Sequence, residues 1–196
     1  MKREQTLEYF MVLGPTLAER IARARADLRM GVPVLLTVGD GSGAIVLAAE
    51  TLTQARLAAA RAVSRPDLAV TAWRAETLKA RAYDGDLARI IVPDAADARW
   101  IRETAEPAKE LATPMRGPCA TRRDGPAVLH RVAVQLAKSA RLLPAAVVCL
   151  IDELSGLAEA DALTALPVMD LTESLATLSP LHDIVAGRVP LTAAEG

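Results

Sequence analysis

Chemistry in this 196-residue chain would fall to few side chains: two histidines, two cysteines and a group of three nearby arginines. Arg116, Arg122 and Arg123 form the basic cluster best suited to a phosphate, because a guanidinium fork matches phosphate oxygens. A solvated loop is the plain alternative. His130 stands in the apolar helical stretch Ala127–Leu142, beside Leu129 and Val132, and is expected at a helix surface or half buried rather than as a catalytic base. Arg116, Arg122, Arg123 and His130 are therefore candidate ligand-binding residues, and no residue is assigned a catalytic role. His182, after Pro180, is expected to be exposed. No order of Ser, His and Asp signals a nucleophilic triad. The pair Asp152-Glu153 follows an apolar strand, where ligand groups often sit in α/β sheets, and it could equally begin a solvated loop. Asp94 and Asp97 precede a helix, where they suit its dipole. Neither Cys119 nor Cys149 has a neighbour at metal-ligand spacing. Cys149 lies in an apolar run and reads as a small buried hydrophobe. No metal site and no cofactor is expected.

The elements that must position these residues centre on Gly31–Glu50. Two apolar runs, Val32–Val38 and Ala44–Ala49, flank Gly39-Asp40-Gly41-Ser42-Gly43. This spacing predicts a β-hairpin whose strands are covered on both faces, central to a mixed sheet. The glycine loop could cradle a phosphate, but a strand follows it where a helix N-terminus would be needed. A tight turn is the expectation.

Upstream, Thr16-Leu17-Ala18-Glu19 is a capping box, Leu17, Ile21, Ala24 and Leu28 form a helical stripe, and Gly31 closes the helix. Arg20, Arg23, Arg25 and Arg29 are expected on its solvated outer face. Downstream, Thr53 caps an alanine-rich helix ending near Ser64. Leu68–Trp73 reads as a strand, Ala75–Arg81 as a helical turn or two, and Ala88–Val92 as a strand. Pro93-Asp94 opens a helix to about Thr104, and Pro107–Leu111 could extend it. Pro126 is placed at the first position of the longest helix, which runs to about Leu142. Ala145–Ile151 is a strand, Pro167–Leu171 another, Thr172–Leu178 a helix, and Leu181–Ala186 one more helical turn. Strands alternating with helices give an α+β class, an α/β sandwich. Residues 1–14 read as an extension, 15–188 as one domain and 189–196 as a linker.

Composition narrows the function classes. Hydrophobic residues make up 52% and aromatics 3%, so the core must be aliphatic. With 23 basic and 24 acidic residues the net charge is −1, which gives no footprint for nucleic acid. No apolar run is long enough for a membrane span, and no signal peptide is evident. A cytoplasmic protein is expected.

The order of segments resembles 3,4-dihydroxy-2-butanone 4-phosphate synthase, the riboflavin-pathway enzyme that makes a four-carbon phosphate from ribulose 5-phosphate. The likeness runs from about Thr16 to Leu171. It rests on Leu28-Arg29-Met30-Gly31-Val32-Pro33-Val34 leading into the first strand, and on Ile45-Val46-Leu47-Ala48-Ala49-Glu50 with Leu52-Thr53. Ala95-Ala96-Asp97-Ala98-Arg99 with Ile101-Arg102 is similar to that family's SAADRA..TIR segment. Leu136-Ala137 through Leu143-Pro144-Ala145-Ala146-Val147-Val148-Cys149 is similar to its closing helix and strand.

The resemblance implies a mixed sheet flanked by helices, and it implies losses. The family's acidic hairpin loop supplies magnesium ligands and acid/base groups; here one carboxylate, Asp40, stands in its place. Cys119 stands where the family's R-P-G-H-V-F-P segment has histidine. The histidine of its G-H-T-E-A segment falls on Leu129 by ungapped count, or on His130, and the Thr-Glu pair is missing. The implied protein is a degenerate synthase-like domain, of the kind that precedes GTP cyclohydrolase II in some bacterial riboflavin-pathway proteins. It implies a homodimer, with a GTP cyclohydrolase II domain as a possible partner whose three-cysteine zinc site this chain does not carry. The rival reading is a metal-independent enzyme or a sensor for a small phosphorylated ligand.

Overall fold

The structure, a computed structural model, describes residues 13–108, 119–154 and 163–176. Arg116, His182, the helical turn expected at Leu181–Ala186, the 189–196 linker and most of the N-terminal extension lie outside these residues. In chain order the elements are α1 (Leu17–Arg29), β1 (Val34–Thr37), β2 (Gly43–Ala48), α2 (Gln54–Val63), β3 (Asp67–Thr71) and α3 (Ala72–Thr77). They continue with β4 (Leu87–Ile91), α4 (Ala98–Ala105), α5 (Val128–Ser139), β5 (Ala145–Ile151), β6 (Thr164–Pro167) and α6 (Val168–Ala176). The strands form one sheet in the order β4-β3-β5-β2-β1-β6. Every neighbouring pair is antiparallel except β1 with β6, so the sheet is mixed as expected.

Residues alternate in direction along a strand, and both faces of this sheet are apolar. Leu47, Leu68, Val70, Ile90, Val147 and Cys149 meet α2, α3 and α4 on one face. Val34, Leu36, Val46, Ala69 and Val148 meet α1, α5 and α6 on the other. Each Leu, Ile or Val so buried contributes about 1.5–3 kcal/mol relative to exposure. The hairpin strands pair as predicted, from Val34 opposite Val46 to Thr37 opposite Gly43. At the start of α1 the capping box forms: the Glu19 N–H donates to Thr16 Oγ1 at 3.3 Å, and the Thr16 N–H to Glu19 Oε2 at 2.8 Å. Gly31 ends the turn with φ +75°, and a Cβ there would lie 2.7 Å from the Thr51 carbonyl oxygen. Any other residue would be strained on both counts.

Several elements differ from expectation, each for a physical reason. Thr71 ends β3 and caps α3, its Oγ1 accepting from the Arg74 N–H at 3.3 Å, so Ala72 and Trp73 are helical rather than extended. Residues 93–97 form a turn, and Asp97 accepts from the Trp100 N–H at 2.7 Å to start α4 five residues after Pro93. Helix α5 begins at Val128, after an Ala127 N-cap without a side-chain bond, so Pro126 precedes the helix. Its 12 residues are one fewer than the 13 of α1. The strand expected at Pro167–Leu171 lies earlier, because β6 must match β1 in register and Pro167 occupies its last position, where α6 takes over.

The arginines expected on the outer face of α1 are also corrected in part. Arg20 donates to the Ala165 carbonyl, Arg25 to Ser139 Oγ at 3.0 Å and Arg29 to the Ala140 carbonyl at 3.4 Å. Arg20 and Arg25 are therefore part-buried ties from α1 to β6 and α5, while Arg23 and Arg29 are exposed as expected, Arg29 still reaching the end of α5. The same device recurs across the sheet. Arg61 reaches the Pro93 and Ala96 carbonyls at 2.8 and 2.7 Å, Arg74 the Thr104 carbonyl at 2.8 Å, and Arg102 the Leu52 carbonyl at 2.5 Å. Loop and helix-end carbonyls lack intrahelical partners, and the five-donor guanidinium satisfies them. No helix among the described residues is long and apolar enough to cross a membrane.

Candidate functional site

Pro66 closes the connection from α2, and Asp67 begins β3 between β4 and β5. Leu68 and Val70 face α2 and α3, so Asp67 points the other way, with Ala69, beneath α5. Residues 119–122 run along the outer edge of β4, the Ile91 N–H donating to the Ala120 carbonyl at 2.9 Å and the Arg122 N–H to the Arg89 carbonyl at 2.8 Å. That path carries Arg122 to Asp67, while the first turn of α5 carries His130 to it.

The two side chains converge on the buried Asp67 carboxylate. Arg122 donates from Nε to Asp67 Oδ2 at 2.7 Å and from Nη2 to Oδ1 at 3.1 Å. His130 Nε2 lies 3.1 Å from Oδ2. A carboxylate only accepts, so the Nε2 nitrogen carries the proton that it donates. Asp67 is 1% exposed and His130 0%, and His130 Nδ1 has no hydrogen-bond partner in the structure. Burial pushes the Asp67 carboxyl up, but hydrogen bonds from His130 and Arg122, with the Arg122 charge, more than offset it. Its pKa is held below the ordinary value.

Two further bidentate pairs surround this one. Arg89, 1% exposed on β4, donates to Asp84 at 2.8 and 3.1 Å and to the Asp124 carbonyl at 2.8 Å. Arg131 donates to Asp86 at 2.7 Å from both Nε and Nη2. Arg123 lies over the Tyr83 ring, 4.8 Å from its centroid.

Of the sequence candidates, Arg122 and His130 meet at Asp67, Arg123 turns away to Tyr83, and Arg116 is outside the described residues. The expectation of a half-buried His130 is corrected: it is wholly buried, held by a carboxylate that sequence reading missed. The available signal was an acidic residue at the head of the apolar run Leu68-Ala69-Val70. Cys149 is buried as expected, and burial pushes its thiol up to about 11, far from a nucleophile's range. Asp152 and Glu153 are exposed beyond the end of β5.

The hairpin lies toward the same end of the sheet, since Asp67 faces Val148 and Gly43 faces Ile151 on the two flanks of β5. Its loop closes on itself. The Val38 N–H donates to the Ser42 carbonyl at 2.8 Å, and Asp40 Oδ1 accepts from the Ser42 N–H at 2.9 Å and from Ser42 Oγ at 2.6 Å. The Ser42 hydroxyl, then its N–H, holds the Asp40 carboxyl below the ordinary value.

Magnesium demands near-octahedral oxygen ligands, usually with one or two protein carboxylates aimed at it. This loop offers Asp40 alone, already folded onto Ser42. Among the described residues no three His, Cys, Asp or Glu side chains come together as a metal would need. The described residues of the hairpin do not fit a magnesium ion.

No protein-family model matches the chain, and no curated protein matches it by sequence. Solved structures do match. The 3,4-dihydroxy-2-butanone 4-phosphate synthase of Candida albicans has 19% identity over 79% of this chain and 96% of that one, with a TM-score of 0.59. A 3,4-dihydroxy-2-butanone 4-phosphate synthase in complex with two magnesium ions has 17% identity over 80% and 97%, with a TM-score of 0.58. RibBX, a two-domain 3,4-dihydroxy-2-butanone 4-phosphate synthase from A. baumannii, has 20% identity over 79% of this chain and 57% of that one, with a TM-score of 0.55. Sequence identity this low carries fold and no more: the chain has the α+β fold of 3,4-dihydroxy-2-butanone 4-phosphate synthases.

Proposed function

We propose that this chain is a catalytically degenerate synthase-like domain of a riboflavin-biosynthesis protein of the GTP cyclohydrolase II type, serving as a dimerisation or regulatory module. The observation that carries this reading is the hairpin loop. Where the resemblance implies a run of acidic magnesium ligands, five residues close a turn and their one carboxylate bonds within it. The two-domain architecture named for RibBX is consistent with a synthase fold joined to a partner domain.

The chemistry argues the same way. Turning ribulose 5-phosphate into the four-carbon phosphate enolises the sugar, migrates carbon and expels C4 as formate. Such steps call for an ion that polarises adjacent oxygens and for groups that move protons. Here Cys119 stands for one histidine, and His130 is held by Asp67. The rival, a metal-independent enzyme or sensor for a phosphorylated ligand, would draw on Arg116, Arg122, Arg123 and His130, of which Asp67 already engages Arg122 and His130. The test is incubation with ribulose 5-phosphate and magnesium. Formate at the level of a boiled-protein control is expected. Turnover that Asp40→Asn or His130→Ala abolishes would overturn the reading.

A further inference from the structure

Helices α1 and α5 end side by side, and the contacts that join them gather positive charge. Arg25 Nε donates to Ser139 Oγ at 3.0 Å and Arg29 Nη1 to the Ala140 carbonyl at 3.4 Å. Lys138 and Arg141, both exposed, flank those two residues of α5's end. Arg56, on α2, comes against the end of α1: its Nη1 is 3.4 Å from where a Gly31 Cβ would lie, and that nitrogen has no hydrogen-bond partner. Among the described residues none of these five cations pairs with a carboxylate. Two carboxylates close by are engaged by neutral groups, Asp27 accepting from the Thr164 hydroxyl at 2.6 Å and Glu50 from the Leu143 N–H at 2.8 Å. Five cations against two carboxylates leave an excess of three positive charges, in a chain whose net charge is −1. The C-termini of two helices, at about half a charge each, offset about one of the three. Arg141 adds a second observation. It closes α5 at φ +60°, its N–H donating to the Lys138 carbonyl at 3.0 Å and the Leu142 N–H to the Ala137 carbonyl at 3.2 Å. Glycine takes that left-handed conformation without strain, and arginine does not.

We propose that this surface, Arg25, Arg29, Arg56, Lys138 and Arg141 around Met30, docks a short acidic segment of a partner protein. Strain kept at a surface position points to a use for the side chain that keeps it, and here that side chain adds charge to charge. Guanidinium forks match carboxylates in bidentate fashion. Met30, 69% exposed on the C-cap of α1 and next to Arg29, offers an adaptable apolar contact. A hydrophobic side chain between carboxylates fills it, whereas a phosphate gains nothing there. Charge elsewhere limits the partner's length. With the excess of positive charge concentrated here, the rest of the chain is net negative, so a long nucleic acid or an anionic membrane is repelled beyond the patch. A short segment stays within it. The proposal stands apart from the question of whether synthase chemistry is lost.

The test is fluorescence anisotropy of the full chain with a labelled peptide of about ten residues, glutamates flanking a leucine pair, at low and at physiological salt. Saturable binding that weakens with salt is expected. Lys138→Glu should raise the dissociation constant by about tenfold or more, as reversing a contact charge does. Arg141→Gly should weaken binding as well, yet raise the melting temperature, since it relieves the left-handed arginine. Lys79→Gly is the control. Lys79 has φ +54° just after α3, which packs on the opposite face of the sheet from α1 and α5. It should raise the melting temperature alike and leave binding unchanged. If Arg141→Gly gains stability and binds as wild type, and Lys138→Glu binds as wild type too, these cations serve only the helix ends and the proposal is overturned. Absence of saturable peptide binding overturns it, as does tighter binding of oligothymidylate or of phosphatidylserine vesicles than of the peptide. None of these outcomes bears on the loss of synthase chemistry.

Discussion

Two carboxylates near the same end of the sheet have opposite surroundings. Asp40 projects from a glycine loop and accepts from the N–H and hydroxyl of Ser42, two residues away. Asp67 is buried and accepts from Arg122 and His130, 55 and 63 residues distant. The first is held by local chain geometry, and removing its charge leaves nothing stranded. The second is held by the tertiary fold and in turn holds the 119–124 segment and α5 against β3. Position in the sheet therefore does not reveal what a carboxylate does; its partners do.

The largest expected effect is loss of Asp67. Asp67→Asn leaves the part-buried Arg122 guanidinium without its counter-charge and the buried His130 Nε2 without its carboxylate acceptor, and breaking such a pair from one side costs about 3–5 kcal/mol. Because Arg122 retains 26% of its side-chain exposure, the lower part of that range is expected. Urea unfolding at neutral pH measures it, and a midpoint equal to wild type would mean that the cluster contributes no stability.

The difference between these two regions also marks what was legible in sequence. Thr16, Thr53, the hairpin and Ala145–Ile151 were legible, because capping boxes, glycine turns and apolar runs are written in adjacent residues. The start of α3 was not, because the apolar run through Trp73 masked the cap at Thr71. Strand β6 was misplaced because its position answers to β1, far away in sequence. At the candidate site, Arg122 and His130 were singled out by type as ligand-binding candidates. Their common partner escaped notice, since no spacing rule links Asp67 to residues more than fifty positions downstream.

Acid should sharpen the contrast. The folded pKa of Asp67 is lowered, so its contribution is fully present above the unfolded value, about 3.9 for an aspartate, and is lost as pH falls through the folded value. The stability gap between wild type and Asp67→Asn should therefore hold at neutral pH and narrow below about pH 4. Paired urea titrations at descending pH check this. A gap that widens on acidification would reverse the sign and place the ionised carboxylate in an unfavourable setting.

The smallest expected effect is at Asp40, and it bears on function as well as stability. An asparagine there keeps an oxygen at the Oδ1 position, so the bonds from the Ser42 N–H and hydroxyl survive and the turn keeps its shape. Its carboxyl pKa is lowered by those same bonds, but the group is fully exposed, where water screens what a charge adds. Asp40→Asn should melt at the wild-type temperature at neutral pH. Magnesium extends the comparison: a ligand that binds only the folded chain raises its melting temperature as it saturates. With one carboxylate in the loop, added magnesium should move neither wild type nor Asp40→Asn. A rise in wild type that Asp40→Asn removes would mean that the hairpin gathers other oxygens around the ion, and that the two carboxylates are closer in role than their partners imply.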